Sequence, residues 1–509
     1  MSTGESKPRT YRFGARDRSG WLLGLQGAQC LALACGIVGG GSILNRGAPL
    51  PVAALPLLAG VGFAFARWQG EPVHAAAPVI ASWLFAQATH RTSWFAAPPR
   101  FRHPSRQPAR PQPDLPPTLH GLEIAGFEPW ATVGGSHSEI GMILDRRDGS
   151  LTGVLRVCSR EFALCERTDQ ERLLDLWGDA LSTFCRERGP VGRIRWIEWS
   201  APARLDDHFD HLAAAVCPAP NVAAVASYRD LLNVMANQTT HHEVLVAITL
   251  ERKRLRLHRT SKQHAEAELE DGLRDELRLF TTRLETAGLV VDAPLTAPQL
   301  AKAWRERLDP FAIARPASRR RRSLVELSGT ISVANAGPLS IDAALTHVRV
   351  DGAFHVAYSI AEWPRLDVPP GWMEPLMLHA GGIRTISVLY EPVAPSRARR
   401  EIDKQTVKLA SDEEQRSRSG FRIGARHRRV EADVLEREAE LVGGFGEFEY
   451  TGFVIVTASD LDSLQRSCGE YEQAAAQSGL ELRRLDGRHD LALALMLPVG
   501  RGLATKRFA

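Results

Sequence analysis

The sequence predicts an α+β body with repeated strand–helix–strand units, preceded by a two-helix transmembrane hairpin. Two uncharged stretches, residues 19–45 and 47–66, are each long enough to cross about 30 Å of hydrocarbon at about 1.5 Å per helical residue. Beyond residue 119, the pattern of an apolar strand, an amphipathic helix and a further strand occurs three times. The predicted fold class is therefore an α+β body that follows two membrane-spanning helices.

Composition sets the limits of this interpretation. The chain has 509 residues, of which 44% are hydrophobic and 24% charged, so it can bury a core and is not a disordered polymer. Its length indicates more than one domain. A net charge of +4 is small and does not by itself indicate a nucleic-acid binder. The seven cysteines include no CxxC pair, which favours reduced packing residues in a reducing compartment.

Basic flanks orient the predicted hairpin, which covers residues 21–66 and is interrupted by only one charged residue, Arg46. Lysine and arginine are enriched in the tail, residues 1–20, and again after the second span, so both flanks and the body should be cytoplasmic. Gly36 and Gly40 have the GxxxG spacing that allows two helix backbones to approach. The alternative is a cleaved lipoprotein signal that ends at Cys35.

Residues 67–118 are predicted to form an interfacial helix and a linker. The apolar stretch 71–96 contains charged residues and is interrupted by Pro78, so it suits the membrane surface better than a third crossing. A segment rich in proline and arginine follows and should be an extended spacer. The predicted membrane-interface tryptophans are Trp21, Trp68, Trp83 and Trp94.

The first α+β lobe is predicted to cover residues 119–315. Strands 139–144 and 153–157 should pair through an Asp148-Gly149 turn, followed by a helix over 168–186 that begins with a Thr168/Glu171 capping box and by a strand over 194–199. The second unit comprises strand 244–250, a helix over 262–287 and strand 289–291. One apolar stripe on that helix predicts packing on a sheet: Leu269, Leu273, Leu277, Phe280 and Leu284.

The second lobe is predicted to cover residues 324–509. It contains the third unit, with strands 452–457 and 480–485 around a helix over 459–478, and an exposed helical arm over 396–429. Strand–helix–strand connections of this kind imply parallel or ferredoxin-like pairing. Between the lobes lies a run of four arginines for which a solvated loop is favoured over contact with DNA or lipid phosphates: Arg319, Arg320, Arg321 and Arg322.

No catalytic, cofactor-binding or metal-binding motif stands out. The phosphate-binding loop GxxxxGK[ST] does not occur in the sequence. His241-His242-Glu243 resembles a metal cluster, but neighbours on a strand point to opposite faces. Gly134-Gly135-Ser136-His137-Ser138 lacks the second glycine of a nucleophile elbow. The sequence therefore predicts a protein that is not an enzyme and has no cofactor.

Several short sequence motifs, in their order along the chain, resemble those of a known family. The basic tail, the two spans, Trp68-Gln69-Gly70-Glu71-Pro72 and the apolar helix ending near Trp94 resemble the PrgI-type inner-membrane subunit of conjugative type IV secretion systems. The body resembles the amino-terminal, non-motor part of the conjugation ATPase, in Thr168-Asp169-Gln170, Glu362-Trp363-Pro364-Arg365, Arg384-Thr385-Ile386-Ser387, Glu391-Pro392-Val393 and Leu497-Pro498-Val499-Gly500-Arg501-Gly502. A fusion of these parts without the motor is similar to membrane proteins of actinobacterial integrative conjugative elements.

That resemblance implies a non-catalytic scaffold in the inner (plasma) membrane, multi-pass with both termini cytoplasmic, which docks a separate ATPase. Its implied partners are that ATPase, other membrane subunits of the secretion channel, the lipid bilayer, DNA and further copies of the chain in a homo-oligomer. Two alternatives remain open. One is a membrane-tethered DNA-binding protein that uses Arg319–Arg322 and the arm, and the other is an enzyme whose site forms between the lobes.

Overall fold

The computed structural model describes residues 10–13, 27–68, 70–96, 114–131, 137–158, 162–202, 222–236, 240–254, 262–312, 333–418 and 425–502. The helices in these ranges are α1 (Gly27–Asn45), α2 (Leu50–Phe65), α3 (Val73–Ala88), α4 (Arg167–Ser182), α5 (Val222–Ala236), α6 (Lys262–Thr286), α7 (Ala297–Leu308), α8 (Glu374–Met377), α9 (Pro395–Arg418), α10 (Ala425–Val442) and α11 (Leu461–Gln477). The strands are β1 (Arg67–Trp68), β2 (Glu71–Pro72), β3 (Ser93–Phe95), β4 (Leu122–Ala131), β5 (His137–Asp145), β6 (Ser150–Cys158), β7 (Val191–Pro202), β8 (Thr240–Leu250), β9 (Val290–Val291), β10 (Ser340–Ala343), β11 (Val348–Val350), β12 (Ala353–Glu362), β13 (Ile383–Val393), β14 (Glu447–Ala458) and β15 (Glu481–Arg484). The α+β class is confirmed.

Helices α1 and α2 pack against each other through glycine. A β-carbon placed on Gly36 would lie 2.9 Å from the carbonyl oxygen of Pro56, and one placed on Gly60 would lie 2.7 Å from that of Ala32. Near the start of α1, the side-chain amide of Gln29 donates to the carbonyl oxygen of Ala64, 2.7 Å away, so the helices run antiparallel. The predicted GxxxG approach is confirmed.

One described helix is long and apolar enough to cross a membrane. It is α1, with 19 residues and a mean hydropathy of 1.6, whereas α2 and α3 each have 16 residues. At about 1.5 Å per residue, α2 is roughly 24 Å long and falls short of the hydrocarbon thickness. Of the two predicted spans, only the first therefore corresponds to a described helix with the length and composition needed to cross a membrane. Predicted span residues 19–26 lie outside the described residues.

Leucine at position 36 is expected to separate the two helices, because its β-carbon cannot fit beside the Pro56 carbonyl oxygen. The Gly36→Leu variant should lose about 1–3 kcal/mol of stability through overpacking, which thermal unfolding in detergent micelles would measure by circular dichroism. Gly41→Leu is the matched control, since no other atom lies within 4 Å of a β-carbon placed there. Equal losses in both variants would contradict glycine-mediated packing.

A single large sheet organises the body. Its order is β3-β10-β11-β12-β14-β13-β7-β8-β6-β5-β4, with β15 also paired to β12 and β9 also paired to β6. Every pairing in the described part of this sheet is antiparallel. The parallel alternative for the repeated units is thus wrong, because a third strand lies between the two strands that each helix connects.

The repeated units form two modules of the same topology. The first module, residues 150–291, has the strand order β9-β6-β8-β7, and the second module, residues 353–484, has the order β15-β12-β14-β13. In chain order both are 4-1-3-2, which is the ferredoxin-like arrangement. Helices α4 and α6 connect strands in the first module, and α8 and α11 connect them in the second. The ferredoxin-like alternative is confirmed.

The second strand of each module pairs with its counterpart and joins the modules. Strand β7 pairs with β13 from Arg384↔Ser200 to Tyr390↔Ile194. The sheet is therefore continuous between the two predicted lobes. Residues 316–323, the predicted boundary, lie outside the described residues, as do residues 97–113 of the predicted linker.

Both faces of the sheet are covered. On one face α4 and α6 cover the first module, with Leu273 and Phe280 fully buried, and α11 covers the second module. Alternate strand residues, such as Val154 and Phe453, point to the other face, where one core runs across both modules. This core also contains α7 and the carboxyl-terminal segment 491–499. The predicted stripe on residues 262–287 is confirmed.

Local predictions differ in outcome. The Asp148-Gly149 turn is confirmed: the Asp148 carboxylate accepts from the Ser150 amide at 2.9 Å, and Gly149 has a φ of +70°. The Thr168 capping box is wrong, because α4 begins one residue earlier and its N-cap, Glu166, makes no side-chain capping bond. Helix α3 continues through Pro78 instead of breaking there. The predicted arm corresponds to α9 and α10, while residues 419–424 between them lie outside the described residues.

Candidate membrane-facing site

The segment after α2 is attached to the sheet of the body, beside the second module. Strand β3 pairs with β10, which places Trp94 opposite Ile341 and against the core that runs across both modules. Helix α3 lies over the turn after β15, where a β-carbon on Gly487 would lie 3.4 Å from that of Trp83. Gly487 has a φ of +70°, a conformation that suits glycine, and a β-carbon there would make an ordinary van der Waals contact with α3. The carboxyl-terminal flank of the apolar helices is therefore held on the body.

A small cleft opens between α3 and β15. Trp68 and the α3 residues Ala76, Val79 and Ile80 form its apolar side; its polar side contains Asp486 and three arginines, Arg483, Arg484 and Arg488. The Arg484 guanidinium donates to the carbonyl oxygen of Thr346 at 2.6 Å and pairs with Asp486 at 3.1 Å. Arginine side chains thus outnumber carboxylates here, beside tryptophan and aliphatic side chains.

The segment before α1 is attached to the second module. Residues 10–13 lie between residues 363–372 and α10, where Tyr11 forms an antiparallel bridge with Val368. Arg12 pairs with three carboxylates, and the Phe13 ring stacks on that of Trp363 with 5.3 Å between centroids. Both flanks of the two apolar helices consequently contact the folded body, one at the second module and the other at β10 of the same sheet.

The predicted site residues have separate locations. Trp68 is 42% exposed and follows α2 directly, Trp83 is half-buried on α3, and Trp94 is half-buried on β3. A membrane-interface role for each of them stays a prediction. Trp21 and the run Arg319–Arg322 lie outside the described residues.

Comparison with protein-family models and with curated protein sequences finds no match for this chain.

In the structure, His242 and Glu243 of the sequence cluster His241-His242-Glu243 have separate partners. His242 Nδ1 lies 2.7 Å from the Glu198 carboxylate, while Glu243 points elsewhere and accepts from Arg156 and Arg307, each at 2.8 Å. Burial, the largest single influence, raises the pKa of Glu243, but attraction to Arg307 and Arg156 together with their hydrogen bonds outweighs burial and leaves the pKa below its ordinary value. Among the described residues, no group of three or more histidine, cysteine or acidic side chains could hold a metal.

Two buried arginines lie at the junction of β7 and β13. Arg384 donates to the His379 carbonyl oxygen at 2.8 Å and to Glu198 at 3.2 Å. Arg195 donates to the carbonyl oxygens of Leu495, at 3.0 Å, and Arg501, so it holds the carboxyl-terminal segment on the sheet. Sequence reasoning gave neither residue a role: Arg384 entered only as part of a motif that carries the family resemblance, and Arg195 lies in no recognisable motif. Their partners are mostly backbone carbonyl groups, which indicates a structural role.

Proposed function

We propose that this protein is a non-catalytic inner-membrane scaffold of a conjugative, type IV secretion-like system, which docks a separate ATPase at the membrane. The observation that carries the membrane part of the proposal is that both flanks of α1 and α2 contact the folded body, residues 11–13 at the second module and β3 at β10 of the same sheet. The ATPase part rests on the resemblance of the sequence phrases to the non-motor part of conjugation ATPases.

The two flank contacts restrict how the chain crosses a membrane. If α1 alone crossed, residues 11–13 and β3 would lie on opposite sides of the bilayer and could not both contact the folded body. The chain between them must cross an even number of times. Because α2 packs antiparallel against α1, a hairpin of two crossings satisfies this requirement, with both flanks on the side of the body.

The shortness of α2 is compatible with a crossing. No charged residue occurs from Gly47 to Ala66, and Arg46 and Arg67 stand at its two ends. Long arginine side chains extend towards the headgroups, and a bilayer thins locally around a short span at modest cost. Large apolar side chains also cover the outside of both helices, including Leu31, Val38, Leu55, Leu58 and Phe65, each more than half exposed. Lipid is the solvent that suits this surface.

The distribution of arginine favours a cytoplasmic location of both flanks and a fixed position of the body against the membrane. Positive charge is enriched on both flanks, as expected for segments that remain in the cytoplasm. The cleft between α3 and β15 adds three arginines beside the end of the hairpin, where anionic headgroups would lie. The second module would then face the membrane, and the first module would extend away from it.

Membrane topology can be tested with an epitope tag inserted after Arg46 and, separately, one placed at the amino terminus. In intact spheroplasts, protease should remove the tag after Arg46 and leave the amino-terminal tag intact until the membrane is permeabilised. Protection of both tags would contradict two crossings. Digestion of the amino-terminal tag alone would contradict the orientation.

Docking can be tested by purifying the full chain with the motor ATPase of the same conjugative element. We expect the two to elute together in detergent and the ATPase turnover to change on addition of the chain. Separate elution together with unchanged turnover would refute the scaffold. ATP hydrolysis by the chain alone would refute the non-catalytic assignment.

DNA binding through the arm is the weaker proposal. Two described arginines of α9 are paired with carboxylates: Arg397 with Glu449 at 2.8 Å, and Arg418 with Glu414 at 2.6 Å. Such pairs reduce the positive charge that the arm presents to phosphates. Salt-dependent DNA affinity that is lost when Arg319–Arg322 and the arginines of the arm are reversed in charge would favour DNA binding over the scaffold.

A further inference from the structure

The cleft that holds residues 11–13 contacts this segment in three different ways. The first contact is with the backbone. The Tyr11 amide donates to the Val368 carbonyl oxygen at 2.9 Å, and the Val368 amide donates to the Tyr11 carbonyl oxygen at 3.0 Å. This reciprocal pair is the contact by which a protein edge takes up an extended peptide. It requires an extended backbone at Tyr11 and leaves the side chains that follow available for recognition.

Arg12 supplies the second contact. Its Nε lies 3.1 Å from Asp367, and its Nη1 lies 3.1 Å from Asp433 and 3.0 Å from Glu436. Asp433 and Glu436 are one helical turn apart on α10, whereas Asp367 belongs to the segment after β12. One planar guanidinium therefore joins two elements of the second module. The hydrogen bond and attraction to Asp367, with smaller attraction to the other two carboxylates, raise the pKa of Arg12.

Phe13 supplies the third contact. Its ring stacks on Trp363 at 5.3 Å with an interplanar angle of 21°, and it meets Trp372 edge to face at 5.1 Å. Aromatic pairs in these geometries contribute about 0.5–1.5 kcal/mol each beyond the area that they bury. Tyr450 also contacts Trp363, at 5.2 Å, from below the cleft. The aromatic pocket is thus built from residues of the module and filled by the segment.

The module shapes this cleft with contacts of its own. Arg429 of α10 donates to the carbonyl oxygen of Arg365 at 2.7 Å, which ties the helix to residues 363–368. Gly452 lies directly under Trp363, and a β-carbon there would come 2.9 Å from the indole ring. Trp363 and Trp372 also pack against the core of the second module. These contacts do not involve residues 11–13, so the cleft does not need the segment to hold its walls together.

We propose that the cleft between residues 363–372 and α10 is a peptide-recognition site for an extended Tyr-Arg-Phe segment, and that residues 11–13 of this chain are its ligand. Tyr11 sets the register through the backbone, Arg12 supplies charge recognition and Phe13 supplies apolar burial. Arginine is preferred to lysine, because a planar fork can reach carboxylates on two elements, while an ammonium group is a single point of charge. This proposal does not depend on an ATPase partner.

Peptide binding tests the site directly. A fluorescent peptide of residues 8–15 would be titrated into the chain lacking residues 1–13, in detergent micelles, and followed by anisotropy. We expect saturable binding that weakens with salt and is at least tenfold weaker for the peptide carrying Arg12→Glu. Equal binding of both peptides, or no binding to a shortened chain with an unchanged circular dichroism melting curve, would overturn the site. The full chain should bind at least tenfold more weakly than the shortened chain, because its own segment occupies the cleft; equal affinity would overturn this occupancy.

A second variant keeps the chain at full length. Asp433→Asn with Glu436→Gln removes two of the three carboxylates that hold Arg12, so trypsin should cleave after Arg12 at least tenfold faster than in the unchanged chain. Glu431→Gln with Glu438→Gln is the matched control on exposed positions of the same helix and should leave the rate unchanged. Equal cleavage rates in the two double variants would overturn the assignment of Asp433 and Glu436 to the site.

Discussion

Replacing Glu243 with alanine is expected to lower the free energy of unfolding by about 3–5 kcal/mol. Glu243 is buried and accepts hydrogen bonds from Arg156 and from Arg307, whose side chain is fully buried. Without the carboxylate, the Arg307 guanidinium retains the Ala303 carbonyl oxygen and the Trp199 ring but has no counter-charge. Urea unfolding of the purified chain in detergent, followed by tryptophan fluorescence, measures the loss.

The matched control is Glu251→Ala at the other end of β8. Glu251 also pairs with two arginines, Arg193 at 3.2 Å and Arg254 at 3.3 Å, but these side chains are partly exposed. Ion pairs near the surface contribute about 0–1 kcal/mol, so Glu251→Ala should have a small effect. Similar losses for the two variants would contradict the dependence on burial.

Acidification from pH 6.5 to pH 4 is expected to remove about 3 kcal/mol of stability through His355 alone. Burial lowers the pKa of His355 from 6.5 to about 4. Between these two pH values the unfolded chain binds a proton at His355 and the folded chain does not. The free energy of unfolding therefore falls as the pH falls. Neutral His355 fits its partners: Nε2 donates to the Leu308 carbonyl oxygen at 3.0 Å, and Nδ1 accepts from the Thr457 hydroxyl at 2.9 Å.

Urea unfolding at half-unit pH steps would measure this slope. In the His355→Asn variant the slope between pH 4 and 6.5 should become smaller, while the exposed His120→Asn control should keep the original slope. His489 is also buried, and burial lowers its pKa too, so part of the slope should remain. A slope that His355→Asn leaves unchanged would refute the assignment.

Prediction from sequence succeeded where the signal was local. The Asp148-Gly149 turn, the apolar stripe of α6 and the close approach at Gly36 each depend on neighbouring residues or on regular spacing. The capping box shows the limit of such signals: Thr168 has the correct spacing to Glu171 but lies inside the first turn of α4. A true capping box forms instead at Thr296 and starts α7.

Pairing over long distances could not be predicted. The β7–β13 contact joins Ile194 to Tyr390, and the apolar pattern of a strand says which face is buried but not which strand lies beside it. The sequence contains even less indication of the cleft between residues 363–372 and α10, because Arg12 contacts carboxylates more than 350 positions later in the chain. Only the tertiary fold brings together the three acidic residues and two tryptophans that surround residues 11–13.

Strands β7 and β13 occupy the same position in their two modules. Their pairing gives one polypeptide the kind of contact that forms between the subunits of a two-fold symmetric dimer. Tandem duplication of an ancestral half would produce this arrangement without any new pairing surface. Once both halves are encoded together, their stoichiometry is fixed and each can diverge separately. This freedom allows one half to hold residues 11–13, which precede α1, while its twin changes independently.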